Sequence, residues 1–465
     1  MIKLSLNQIA QIVDGLVINA DGSQTTSAYP VINSKKATDK TFFVAFVGEN
    51  VDGHDYIKEA IANGAEFALV SKDCAAPAIK VNDVREALQD LAIYVRNELP
   101  NLQVVGITGS QGKTTTKDLL RHVLSTAGET IAPEESLNNE LGVPLLILRC
   151  TETTKFCIVE MGARHVGDIS HLAQISKPHV GVVLTVGTAH LGEFGSRELI
   201  AKAKSELITA LAPGGTAILG TYDEFTPNMV VPTGVKRVLF GEKNNCEIRA
   251  ADVEVREGRA HFDLVTPEGR AAVGLQLLGM HQISNALAAA AAATALNIPI
   301  ETISAALSTA EVSSKWRMEI SQVGEITLIN DSYNANPESV AAALRTLALI
   351  SQESGGVSWA ILGKMQELGE SSAAEHAAIG RLVCEIGIDN LVAVGIKDYL
   401  ADLDSLDLKE EGGASAIHYF DTKAEALSIV EHFSPGDVVL VKASRSGEFN
   451  LLVDSIKEKL GEAEQ

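Results

Sequence analysis

One stretch carries an evident chemistry: Val104–Leu124 reads VVGITGSQGKTTTKDLLRHVL. An apolar run, Val104–Thr108, ends in a glycine-rich loop. Lys113 and Thr114 follow, then a helix-period segment with apolar positions Leu119, Leu120, Val123 and Leu124. Strand, glycine loop and helix in that order form an anion cradle. Gly109 and Gly112 let backbone N–H groups turn inward, the helix start adds its dipole and Lys113 adds a full charge. A hydroxyl directly after the lysine, Thr114, is placed to ligate Mg²⁺. The spacing is G-x-x-G-x-x-G-K-T, with Ile107 where the strict phosphate-loop pattern has its first glycine. The strand–loop–helix context outweighs the bland alternative, a glycine turn with a solvated lysine, so the loop predicts binding of a nucleoside triphosphate.

Further candidates lie at later strand ends. Phe156–Met161 places Glu160 near its C-terminal end, where a carboxylate can hold Mg²⁺ opposite a triphosphate; a solvated strand-end acid is the plain alternative. Val180–Val186 leads into a loop carrying His190, and open α/β sheets gather ligands at such ends. AKAKSEL contributes Lys202 and Lys204, which the residues alone do not separate. NNELGVP, Asn138–Pro144, fits a substrate contact and an ordinary helix cap equally well.

The elements that must position these groups are legible as alternation. The chain has 465 residues, enough for about three domains. The first hundred mix short strands (Phe42–Val47, Phe67–Val70) with a helix over Val84–Glu98. From Val104 to about residue 314, strands and helices alternate: Phe156–Met161, Val180–Val186 and Thr216–Gly220 as strands, Thr114–Ala127, Glu198–Leu211 and Ile283–Leu296 as helices. A polar strip, Glu242–Gly274, interrupts them with the pattern of antiparallel strands. A second alternation starts at Ile326 and includes a helix around Ala424–Phe433. The expected fold is α/β in three units: a small α/β unit (1–100), a central phosphate-loop unit with a mostly parallel sheet (101–314) and a C-terminal Rossmann-like α/β unit (315–465).

Composition excludes other classes. With 38 basic and 60 acidic residues the net charge is −22, the wrong sign for a nucleic-acid binder held by phosphate contacts. Phosphate must then be captured by local donors and a few placed cations. Five scattered cysteines without a C-x-x-C pair predict reduced thiols and a cytoplasmic protein. The longest apolar stretch, Ala286–Leu296, is too short for a membrane span.

Taken together, GITGSQGKTTTKD, NNELGVP, EMGARHVGDI, TAHLGEFGS, AKAKSEL, GMHQISNALAAAA, KWRMEI and NDSYNANPES occur here in the order seen in the Mur ligases of peptidoglycan synthesis. The resemblance spans nearly the whole chain. It implies an ATP- and Mg²⁺-dependent ligase, with two metal ions, that activates a carboxylate as an acyl phosphate. TFFVAFVGENVDGHDY, LGKMQELGESSAAEH and VKASRSGEFN resemble the branch that joins D-alanyl-D-alanine to UDP-N-acetylmuramoyl-tripeptide. On this resemblance Gly109, Ser110, Gln111, Gly112, Lys113, Thr114 and Thr115 hold the ATP phosphates. Thr114 and Glu160 bind one Mg²⁺, His190 a second, and Lys204 matches a lysine carbamylated in the family. His281 and Asn285 lie near adenine, and Arg317 and Asp331 close on the nucleotide. Ser34 receives the uridine diphosphate, and Asn139 and Asn334 contact substrate. The N-terminal unit is then the UDP-substrate unit and the C-terminal one the dipeptide unit, in a monomer. Asn33-Ser34-Lys35 stands where the family commonly has D-S-R, and Ser446-Gly447-Glu448-Phe449 where a relative often shows S-M-x-M-E. Three rivals share parts of the pattern: a folylpolyglutamate-synthase-like ligase, which lacks an N-terminal uridine unit, a nucleotide-hydrolysing switch, and a kinase.

Overall fold

The computed structural model describes residues 1–48, 50–134, 137–311, 314–401, 403 and 416–463. Three main sheets follow one another along the chain. The first has five short strands in the order Leu16–Ile18, Ala78–Lys80, Ala68–Val70, Thr41–Val44 and Tyr29–Val31, all but the first running parallel. Helix Val84–Glu98, capped by the Asp83 carboxylate on the amides of Arg85 and Glu86, lies beyond it. Its buried Leu88, Leu91 and Val95 share one apolar cluster with Val143, Leu146 and Ile175, so the first sheet's core runs without a break into the second.

The central sheet has nine strands. Gln103–Thr108 lies between Phe156–Glu160 on one side and Val180–Val183 on the other, all parallel. Their C-terminal ends therefore come to one edge of the sheet, and the chain leaves the middle strand toward both neighbours. A crevice opens at such a switch point. The run Val104–Ile107 is wholly buried, which is why it is apolar throughout instead of alternating.

The polar strip carries the antiparallel strands that its alternation predicts, and they extend this sheet instead of forming a separate one. Lys236–Gly241, which carries no strong strand signal, adds a further parallel strand. Ile248–Arg256, Arg259–Thr266 and Gly269–Leu278 then continue as an antiparallel meander. The alternation arises because one face of the meander is solvated while Phe262, Leu264, Val273 and Leu275 enter the main core.

Helix Gln282–Ala295 packs against the glycine-loop helix Lys113–Ser125. Its alanine run is fully buried, with Ala288, Ala289, Ala290 and Ala292 at 0% exposure. Small side chains let the two helices approach closely. Ala290→Leu is accordingly expected to overpack the contact and cost about 1–3 kcal/mol, read as a fall in Tm.

The third sheet orders its six strands Glu319–Val323, Ile326–Asp331, Val438–Lys442, Ser358–Leu362, Asn390–Val394 and Ala416–Phe420. The two edge strands were not legible as such. The helix expected over Ala424–Phe433 is one turn, Lys423–Ala426, followed by a 3₁₀ segment, Leu427–His432. Pro435-Gly436 follows too closely for a long helix. Helix Pro337–Ser354 begins as its sequence dictates, with Pro337 in the first turn and the Asn336 side chain accepting from the Ser339 amide.

Candidate active site

A cleft of about 1110 Å³ opens at the switch point and is lined by residues of the second and third units. Of the sequence candidates it collects Ser110, Gln111, Gly112, Lys113, Thr114, Thr115, Glu160, His190, His281, Asn285, Arg317, Asp331 and Asn334.

The glycine loop forms its floor. Gly112 has φ +81°, and a Cβ on it would lie 2.3 Å from Asn285 Oδ1. Both the turn and the approach of the Asn285 helix require glycine here. Gly112→Ala is therefore expected to weaken nucleotide binding by about tenfold or more, measured as the Kd for ADP, since it combines strain with a direct clash. Lys113 Nζ donates to the Gly109 carbonyl at 2.8 Å, bending the side chain back over the loop. Burial pushes its ammonium below the ordinary lysine range, Glu160 opposing and Arg317 reinforcing the shift.

Beside it, Thr114 Oγ1 donates to Glu160 Oε2 at 3.0 Å, and Asn138 Nδ2 donates to Glu160 Oε1 at 3.0 Å. Glu160 is 2% exposed. A buried carboxylate held next to a threonine hydroxyl at the rim of an anion cradle is a hard oxygen donor set of the kind Mg²⁺ takes alongside phosphate. The residues present thus fit the metal that the loop implies.

In the polar turn after the glycine-loop helix, Asn139 lies outside the cleft lining. Its Oδ1 accepts from the amides of Leu141 and Gly142 at the start of helix Gly142–Ile147. The neighbouring Asn138 is the one that enters the cleft. Gly109 and Lys204 stand just behind the lining. Lys204 is 4% exposed on helix Arg197–Thr209, whereas Lys202 on the same helix faces solvent, a distinction the sequence did not carry. Burial, with Lys113 nearby, lowers the Lys204 amine to about 7. Lys204 and Lys113 also act on His190, whose imidazole burial pulls below its usual value.

At the other end, desolvation at the start of helix Gln282–Ala295 lowers His281 to about 4, so its imidazole is neutral at working pH. Its Nε2 accepts from the Gln282 side-chain amide at 3.0 Å. Arg317 stacks on Tyr333, 4.0 Å from the ring centroid, and its buried Nε has no hydrogen-bond partner. Trp316 (φ +59°) and Met318 (φ +52°) flank it in left-handed conformations that L-residues rarely adopt. A strained segment that aims an unsatisfied guanidinium donor into a cleft suits an anionic ligand. Asp331 accepts from Lys442 Nζ at 2.5 Å, while the same ammonium donates to the Asn334 carbonyl at 2.9 Å. Lys442 was missed; its only signal was a charged residue ending the buried strand Val438–Lys442.

Ser34 does not reach this cleft. It lies in the first unit, buried, with its hydroxyl donating to Glu59 Oε2 at 2.6 Å. Among the described residues no helix is long and apolar enough to cross a membrane.

A phosphate cradle, a carboxylate–hydroxyl pair suited to a metal and an unsatisfied arginine gathered between two α/β units mark the class as nucleotide-dependent phosphoryl-transfer enzymes. Family models match along the chain: Mur ligase family, catalytic domain over residues 31–96, Mur ligase middle domain over 107–293, and Mur ligase, glutamate ligase domain over 316–445. A UDP-N-acetylmuramoyl-tripeptide–D-alanyl-D-alanine ligase of Mycobacterium tuberculosis is 39% identical, covering 98% of both chains, and one of Escherichia coli is 32% identical over 98% of this chain and 99% of its own. A MurF crystal structure from Acinetobacter baumannii superposes with TM-score 0.87 at 34% identity, over 98% of this chain and 99% of that one. The MurF ligase of Thermotoga maritima, solved in complex with ADP, gives 0.78 at 27% identity over 94% and 99%. The chain belongs to the Mur ligase family, and it is an ATP-dependent ligase.

Proposed function

We infer that the chain joins D-alanyl-D-alanine to UDP-N-acetylmuramoyl-tripeptide, consuming ATP and releasing ADP and phosphate. The observation that carries this reading is the end-to-end match, first unit included, to ligases of that activity, around a cleft whose floor is a phosphate cradle. The first unit also sets it apart from a folylpolyglutamate-synthase-like enzyme.

At neutral pH a carboxylate and an amine form a salt, so the acid must be activated. The terminal carboxylate of the tripeptide attacks the γ-phosphorus in line, the bond to ADP breaks, and an acyl phosphate forms. Lys113 and the loop amides from Gly109 to Thr115 hold the phosphates and spread the developing charge. Arg317, Asp331, His281 and Asn285 fix the nucleoside end, the neutral His281 offering a ring edge to the base. Thr114 and Glu160 would hold one Mg²⁺, and His190 with a carbamylated Lys204 would hold a second; such ions would supply positive charge that neutralises phosphate oxygens. The dipeptide amine then attacks the acyl carbon, phosphate leaves, and one proton is lost from the nitrogen. Arg317 and Lys113 stabilise the oxyanion. Asn334 at the cleft and the Ser34 loop, with exposed Lys35 beside it, take the dipeptide and uridine diphosphate ends respectively.

The division that goes with this is 1–100 for the uridine substrate, 101–314 for ATP and 315–465 for the dipeptide. On this reading the enzyme works as a monomer in the cytoplasm. An ADP-release assay with each substrate omitted in turn tests the reading. Release should require both the uridine tripeptide and the dipeptide. Steady release without the dipeptide would establish a nucleotide-hydrolysing switch instead.

A further inference from the structure

The loop Thr185–His190 is gripped from two sides. From the central unit, Ser110 N of the glycine loop donates to the Thr185 carbonyl at 2.9 Å, and Gly187 N donates back to Ser110 Oγ at 2.8 Å. From the third unit, Glu338 takes hold of the same loop. Its carboxylate accepts from Thr188 N at 2.8 Å and lies 2.9–3.0 Å from Thr188 Oγ1. Two residues on, His190 Nδ1 lies 2.5 Å from Glu367 Oε2, and Gly192 N donates to the Glu367 carbonyl at 3.1 Å. His190 and Glu367 both have φ +63°, so backbone strain sits on each side of that contact. Gly187 marks how tight the sandwich is: a Cβ there would lie 2.8 Å from Glu338 Oε1 and 3.4 Å from Ser110 Cβ.

We propose that Glu338, with Thr188, is a docking latch: a positioning residue that holds the third unit over the cleft by gripping the loop that also touches the glycine cradle. The chemistry favours Glu338 for the task. It sits in the first turn of helix Pro337–Ser354, where the helix dipole stabilises a carboxylate, and it is half-buried, so its charge-assisted bonds are shielded from water. One carboxylate satisfying both an amide and a hydroxyl of the same residue is a geometric lock that a chance surface contact does not provide. Because Ser110 belongs to the cradle, the loop passes between the nucleotide's seat and the latch. Docking of the third unit is thereby coupled to what the cradle holds, and the dipeptide, bound between the units, meets an assembled site only when the latch is closed.

Glu338→Ala tests this by two independent readouts on the full chain. Small-angle scattering with ATP and Mg²⁺ should show a larger radius of gyration for the variant than for the wild type. Steady-state kinetics should show the KM for the dipeptide raised about tenfold, a coupling of ordinary allosteric size, with the Kd for ADP weakened by less, about threefold at most, because the cradle is untouched and only the third-unit contacts of Arg317 and Asp331 are loosened. Thr188→Val, which removes only the hydroxyl, should move both readouts the same way by less, and Glu338→Gln, which keeps an acceptor, should restore most of the loss. Superimposable scattering with unchanged KM overturns the latch. So does an equal loss of ADP affinity, which would make Glu338 part of the cradle. The kinetic readout rests on the ligase reading and the scattering readout does not. A wild type that fails to require the dipeptide therefore sinks that reading while leaving the latch to the scattering result.

Discussion

Replacing Lys113 by alanine is expected to lower kcat by at least about 10²–10³-fold, the usual cost of removing a preorganised charge that acts where charge develops. The side chain is folded back onto the Gly109 carbonyl at 2.8 Å, so its ammonium stands over the cradle whether or not phosphate is there. That arrangement is preorganisation: no ordering is left to be done at the moment of transfer. The same geometry makes the variant a clean test. Burial already disfavours the Lys113 ammonium, with Arg317 adding to the penalty, so removing it relieves an unfavourable charge and opens no core cavity. Tm should stay level or rise while ADP release collapses. A variant that keeps activity within about tenfold of wild type would remove the glycine loop from catalysis. One that loses activity together with its folding transition would not bear on catalysis, and Lys113→Met, similar in length without the charge, then decides.

Which parts of this site could be read from the residues follows from how local their signals are. The cradle was legible because strand, glycines, lysine and helix are contiguous, and each glycine answers a need seen in the structure. Glu160 was legible because strand ends on one edge of a parallel sheet converge. Lys204 was separable from Lys202 only by resemblance; burial makes the separation physically, and burial depends on what packs over a helix rather than on its own sequence. Asn138 and Asn139 are adjacent identical residues, and only the local turn decides which takes the amides at a helix start and which reaches Glu160. Nothing in the sequence singled out the roles of Lys442, Glu338 and Glu367, because each acts across a separation of at least 108 residues (Lys442 to Asn334) or between two units. That the polar strip's antiparallel strands extend the central sheet was not legible for a related reason. A half-solvated meander looks like a separate polar segment until its edge pairing with Lys236–Gly241 is known.

Lys204 carries the second large effect. A buried amine near another ammonium costs stability as long as it is protonated, and its lowered value of about 7 means that roughly half of it is neutral at that pH. Only the neutral amine has the lone pair to attack carbon dioxide. If it does, the nitrogen–carbon bond forms, a proton leaves, and the uncharged amine becomes a carbamate anion that could serve His190 and a metal ion. Turnover should therefore rise with pH through about 7, fall about tenfold per unit below it, and drop in carbon-dioxide-depleted buffer with recovery on adding bicarbonate. The linkage sign for stability follows from the same shift. The unfolded chain holds the proton up to its ordinary value of 10.5, so between about 7 and that value the unfolded state binds more protons and stability rises with pH. Lys204→Met removes the buried amine altogether. It is expected to raise Tm at pH 7 yet cut kcat by about 10²-fold or more, as loss of a group that orients metal ligands does. A Lys204→Met enzyme with near wild-type kcat, or a wild type indifferent to bicarbonate, would leave this lysine a purely structural residue. Opposed signs in Tm and kcat would instead mark a group kept buried against its own solvation because the reaction needs it there.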